Sequence, residues 1–255
     1  MVSTAQVRGQ GQAWEEGVFL VDKPPGLTSF AIVRKIRWLL GIKKVGHAGT
    51  LDPFATGLLV VCAGRTATRS IDLFMTGRKT YQARLQLGIE TATQDPEGAI
   101  IATTAVPELD RATIATCLQG YVGPQMQAPP PFSAAKHLGK PLYAYARKGV
   151  FIEKPAKAIE IHVLHCRGYD ATSQQLDIEV ECSRGTYIRV LAADIGRSLG
   201  CGAHLIDLRR TVSGPFSVDA CLPGSQLFEG EALALLQNSR FSIEEAIRRV
   251  SGPSL

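Results

Sequence analysis

No stretch of this chain approaches the ~18 consecutive apolar residues of a membrane-spanning helix. Residues 1–16 have neither the basic start nor the apolar core of a secretory signal. Cysteine is present but unorganised. The six, at 62, 117, 166, 182, 201 and 221, form no C-x-x-C pair and no short-range framework. That argues against a disulfide-stapled secreted domain and for reduced, buried thiols in a cytoplasmic protein. The nearest approach to a metal cluster is His162, His165 and Cys166. They fall in the alternating run AIEIHVLHCRG, where neighbouring side chains point to opposite faces, and no second cluster supports them. No metal site is therefore expected. Internal repeats and low-complexity tracts are also missing. Charge of one sign does not dominate: 28 Lys+Arg against 23 Asp+Glu leave +5. That balance is compatible with a polyanionic partner without specifying one.

What is present is an ordinary globular composition, 45% hydrophobic and 20% charged over 255 residues, enough for one large domain and a small appendage. The first 16 residues read as a mobile polar tail. VFLVDKPPGLTS then reads as a strand ending in a Pro-Pro-Gly turn. Thr28 or Ser29 caps a helix with apolar positions Phe30, Val33, Ile36 and Leu40, closed by Gly41. LLVVCAG is a buried strand, and 66–75 a short helix with Ile71 and Phe74 inward. KTYQARLQLG alternates, placing Tyr81, Ala83, Leu85 and Leu87 on one face of a strand. A turn carries Asp95, and 108–118 is a helix. Residues 120–149 are rich in proline, glycine, aromatics and positive charge and predict an exposed arm ending in a short helix. Strands return near 157–167 and 175–183, and a sharp turn at SRGT leads into another helix. After Pro215 only helical patterns stand out, at 233–237 and 243–250. Mixed elements in this order indicate α/β or α+β with antiparallel pairing at several places.

The most informative block is GHAGTLDPFATGLL at 46–59. Pro53 biases Asp52 away from helical geometry, so this carboxylate sits on an extended or turning loop. The small residues around it allow close approach to a flat ligand. Asp52, Tyr81, Asp95 and Arg189 make chemical sense together. A guanidinium keeps a nucleophilic carboxylate ionised, a second carboxylate holds the arginine, and a tyrosine stacks on a ring. Their separations of 14 to 137 residues leave open whether they meet at all. An ordinary surface pair plus a core tyrosine is the alternative.

GHAGTLDPFATGLL resembles the signature of the TruB family of tRNA pseudouridine synthases. VDKPPGLTS, KTYQARLQLG, SRGTYIR and GCGAHLIDLRRT resemble further family motifs in the same order, and FSAAKHLGKPLYAYARKG resembles the family's RNA-clamping loop. The resemblance implies an α+β catalytic domain over 17–215, built on a large mixed, mostly antiparallel sheet flanked by helices. Its arm lies at about 120–150. A short helical extension at 216–255 stands where relatives carry a PUA domain. The implied reaction converts the position-55 uridine of the tRNA T-loop to pseudouridine without cofactor or guide RNA, in a monomer. Asp52 would be the nucleophile, attacking ribose or base or acting through an eliminated sugar. Tyr81 would stack on the flipped base and Arg189 pair with Asp52 and Asp95. His47 would contact flipped nucleotides or fill the space they leave, and Leu208 would pack under the base. Lys23 and Pro24 would support the pocket, and Tyr187 the loop. Lys136, Lys140, Arg147 and Lys148, with Lys43 and Lys44, are expected to face phosphates. Two other readings stay open. One is an RNA-binding factor that helps tRNA fold. The other, far behind, is a glycosidase using Asp52 and Asp95.

Overall fold

The computed structural model of the protein describes residues 16–252. Apart from Glu16, the expected N-terminal tail lies outside them. Seven apolar-rich residues, Gly17–Lys23, form β1, and the chain then turns into α1, Ser29–Leu40. The Thr28 side chain accepts from the Ala31 amide at the start of α1, and Gly41 ends it in the left-handed conformation. Ile32, Val33, Ile36 and Leu40 face inward, whereas Phe30 is 58% exposed. The first-turn inner position belongs instead to Ser29, which is buried and used to anchor a loop described below.

After β2 (Val45–Ala48) and β3 (Thr56–Ala63) come two short helices, α2 (Arg65–Arg69) and α3 (Ile71–Phe74), in place of the single one expected. Glu16 holds the start of α2 by accepting from the amides of Arg65 and Thr66. Strand β4 (Lys79–Leu87) buries Tyr81, Ala83, Leu85 and Leu87 as its alternation requires. A small hairpin, β5 (Ile89–Thr91) with β6 (Ile100–Thr103), precedes α4 (Arg111–Gln119). The arm region begins at β7 (Gly123–Gln127). It contains the two-residue strands β8 (Lys136–His137) and β9 (Lys140–Pro141) and ends in α5 (Leu142–Ala146). Then follow β10 (Lys157–Asp170), β11 (Gln175–Cys182), α6 (Ile188–Ser198) and β12 (Ala203–Ser213). The last elements are β13 (Phe216–Ser217), β14 (Leu222–Pro223), α7 (Ala232–Asn238) and α8 (Ile243–Ser251).

Ten strands make one sheet, with β14-β1-β3-β12-β4-β11-β10-β7 in line, β2 beside β3 and β13 beside β12. Pairing is antiparallel except at β1–β14 and β3–β12. The protein is thus α+β with a mostly antiparallel mixed sheet. Its core falls into three clusters. Helices α4 and α6 cover β4, β10, β11 and β12, including Leu85, Ile178, Leu191 and Leu205. Helices α1 and α7 cover one face of β1 and β3, and α3 and α8 the other. Among the described residues no helix is long and apolar enough to cross a membrane.

The parallel contact of β3 with β12 is unusually close. A Cβ on Gly57 would lie 2.2 Å from the Arg210 carbonyl oxygen, and its φ of +100° is one that other residues rarely adopt. This close contact brings Arg210 beside the loop that precedes β3.

Candidate active site

Asp52 sits in that loop, between β2 and β3, and both of its chain neighbours are pinned. The Ser29 hydroxyl donates to the Leu51 carbonyl and accepts from the Leu51 amide, at 3.0 and 2.9 Å. Lys23, fully buried, donates its ammonium to the carbonyls of Pro53, Pro24 and Leu27 at 3.0, 3.0 and 2.6 Å. An ammonium has three donors and no acceptor, so this set uses Lys23 completely. The sequence pattern Lys-Pro-Pro-Gly therefore ties the end of β1 to the aspartate loop. The site support expected of Lys23 and Pro24 takes the form of backbone anchoring.

Arg189 enters from the first turn of α6, where the SRGT turn redirects the chain. Its guanidinium is spent on four groups. Nε meets Asp52 Oδ2 at 2.9 Å and Nη1 meets Asp95 Oδ2 at 3.2 Å. Nη1 also donates to the Thr93 carbonyl at 2.7 Å, and Nη2 to the Phe132 carbonyl at 2.8 Å. Asp95 is itself held by the Thr93 hydroxyl and the Glu97 amide. The Arg189 side chain is 5% exposed and that of Asp52 34%, so the arginine is the buried anchor and the carboxylate its open end. Burial lifts the Asp52 carboxyl above the ordinary carboxylate value, Arg189 opposes the lift, and Asp95 adds to it.

Tyr81 reaches the same place from β4. Burial raises its phenol, and the neighbouring Arg210 guanidinium works against that rise. Asp52, Tyr81, Arg189, Tyr187, Leu208 and Arg210 line a cleft of about 260 Å³, while Asp95, Lys23 and Pro24 stand outside its lining. The space suits one nucleotide-sized group. Leu208 supplies an apolar floor from β12, packed in the core below. Tyr187 precedes α6, and its backbone is fixed on both sides by the Gln127 amide side chain, at 2.7 and 3.2 Å. A larger hollow of about 590 Å³ lies elsewhere, between 106–113 and 169–174, and holds none of these residues.

Not every expected residue lies in the cleft. His47 is on β2, outside the lining, and its Nδ1 is buried without a partner. Lys136, Lys140 and Arg147 are exposed on the arm, with no carboxylate partner among the described residues, and Lys43 and Lys44 are exposed ahead of β2. The cleft lining also includes two buried cations that the sequence did not single out. Lys79 is buried and donates to the carbonyls of Met75, Thr76 and Gly77. Arg210, 2% exposed, donates to the carbonyls of Leu58 and Gly49 at 2.7 and 3.0 Å. A signal for Arg210 did exist. Consecutive arginines in a strand point to opposite faces, so only one of them can pair outside. Arg209 does so, with Asp22, leaving Arg210 inward.

This fold recurs among solved structures. A chain of a Cbf5–Nop10–Gar1 complex is similar at 26% identity and a TM-score of 0.67, over 91% of this chain and 62% of that one. A chain of an archaeal box H/ACA sRNP Nop10–Cbf5 complex is similar at 25% identity and a TM-score of 0.65, over 91% and 61%. The model of the TruB family pseudouridylate synthase N-terminal domain matches residues 37–188, and that of the tRNA pseudouridylate synthase B C-terminal domain matches 189–250. The chain belongs to the TruB family of pseudouridylate synthases. Among curated relatives, tRNA pseudouridine synthase B of Desulfotalea psychrophila is 54% identical over 91% of this chain and 96% of its own. That of Chlamydia trachomatis serovar L2 is 46% identical over 85% and 88%.

Proposed function

We propose that this protein isomerises the position-55 uridine in the T-loop of tRNA to pseudouridine, with Asp52 as the nucleophile. The observation that carries this reading is the Asp52–Arg189–Asp95 chain at the cleft, whose lining includes Tyr81 and Leu208 on one face of the adjacent strands β4 and β12. Supporting it are membership of the family and the relatives' name. A uridine stacked in folded RNA has to leave the stack to enter such a cleft. Asp52 then attacks the nucleoside or assists its elimination, and the bond between ribose C1′ and uracil N1 breaks. The uracil turns so that C5 faces C1′, the new C–C bond forms, and the C5 proton leaves to solvent while N1 regains one. Arg189 keeps Asp52 ionised through the first step, and Tyr81 stacks on the base and serves the proton transfer at the sugar. Nothing in this sequence needs a cofactor. The exposed cations of the arm and of Lys43 and Lys44 face phosphates. Residues 17–215 carry the chemistry, and the described part of the extension, 216–252, packs against β1, in a cytoplasmic monomer that works without guide RNA.

Tritium at uridine C5 tests this directly. The protein is expected to release one tritium per tRNA, and none from a transcript lacking the T-loop uridine. Asp52→Asn should lose turnover by at least about 10³-fold while still binding tRNA. No release from bound, refolded tRNA would favour the folding-factor reading, in which the cationic arm alone matters.

A further inference from the structure

The cleft poses a problem that Asp52 does not solve. A base drawn out of a helix needs hydrogen-bond partners for its polar edge. Several of the polar side chains around the cleft are already engaged with the protein. Arg189 is used at Nε, Nη1 and Nη2. Lys79 is used on three carbonyls. Arg210 donates to Leu58 and Gly49, and Thr186 donates to the Ser183 carbonyl.

Ser133 differs. It lines the cleft, is 4% exposed, and its Oγ has no hydrogen-bond partner. Among the described cleft-lining residues it is the one with a buried side-chain polar atom left unpaired. Leaving a buried hydroxyl unpaired is unfavourable, so native proteins do it rarely. Its position is fixed on both sides. The preceding residue gives its carbonyl to Arg189, and the Ser133 carbonyl accepts from the Tyr143 amide at 3.1 Å, at the start of α5.

We propose that the Ser133 hydroxyl is a substrate contact that pairs with a carbonyl on the polar edge of the flipped pyrimidine. This rests on the proposed uridine isomerisation and adds a residue that reads the base. A hydroxyl both donates and accepts, so Ser133 can donate to a uracil carbonyl. Ser133 lines the same cleft as Asp52, and the Phe132 carbonyl ties its segment to Arg189, the partner of that carboxylate.

The test is single-turnover tritium release by wild type, Ser133→Ala and Ser133→Thr, on tRNA carrying uridine, 2-thiouridine or 4-thiouridine at the target. Ser133→Ala is expected to slow release roughly 10-fold with unchanged tRNA affinity, and Ser133→Thr to recover most of it. One of the two thio substitutions should slow the wild type and have no further effect in Ser133→Ala, because the contact it weakens is already gone. A thio penalty of the same size in both proteins would overturn the proposal, as would full activity of Ser133→Ala. Reduced tRNA affinity with an unchanged single-turnover rate would also overturn it, because the serine would then only shape the arm. Absence of release by the wild type would strike the proposed function instead.

Discussion

At the scale of single residues, the site is held under electrostatic tension. Asp52 is partly buried near a second carboxylate, and one arginine neutralises both. Its carboxyl is raised above the usual range, so the folded protein holds that proton more tightly than the unfolded chain. The ionised form therefore destabilises the fold. The penalty is present in full above the raised folded value and disappears below the ordinary one. Asp52→Asn should consequently match or exceed the wild type in Tm near neutrality, and the gap should close as pH falls through the carboxylate range. Thermal melts of both proteins from pH 7 to 4 check this. A wild type more stable than the variant at neutral pH would show that the Arg189 pair outweighs the burial. The same shift places the acid limb of the pH–rate profile above the ordinary Asp value. The members of this candidate site were legible in residue types: a loop carboxylate, a tyrosine on a strand face, an arginine at a turn and a second acid. What sequence could not supply was their meeting, because contacts across 137 positions follow from strand order, which local patterning does not encode. For Arg210 the alternation of Arg209 and Arg210 pointed one side chain inward, but its partners are the Leu58 and Gly49 carbonyls, which residue types do not reveal.

At the scale of elements, local signals were the readable ones. Thr28 and Gly41 bound α1 as cap chemistry requires, and the alternation of β4 survives intact. Local periodicity misled at Phe30, because Ser29 takes the inward position to fasten Leu51. It misled again at 66–75, where Ser70 separates two short helices. The short β14 left little trace in the sequence because two residues form no period. The β3–β12 crossing carries a sharper prediction. Gly57→Ala would press a methyl group into the Arg210 backbone, at a φ that L residues avoid, and should destabilise by about 3 kcal/mol or more. Denaturant unfolding measures it. A change within about 0.5 kcal/mol would mean that the two strands part without cost.

At the scale of the whole molecule, the arm carries exposed cations: Lys136, Lys140 and Arg147. Lys136 and Lys140 lie at the two ends of the arm hairpin, exposed and without carboxylate partners among the described residues. Replacing both by Ala should reduce the slope of log Kd against log salt for tRNA by about one to two. An unchanged slope would take the hairpin off the RNA face. The sheet itself has a further consequence. Strand β12 runs beside β3 on one edge and β4 on the other, so it is shared between the cluster beneath α6 and the two around β1. Neither half can melt without stripping the other of a neighbour. Calorimetry should accordingly record one heat-absorption peak, with van't Hoff and calorimetric enthalpies in agreement, and proteases should find the folded chain intact until that single event.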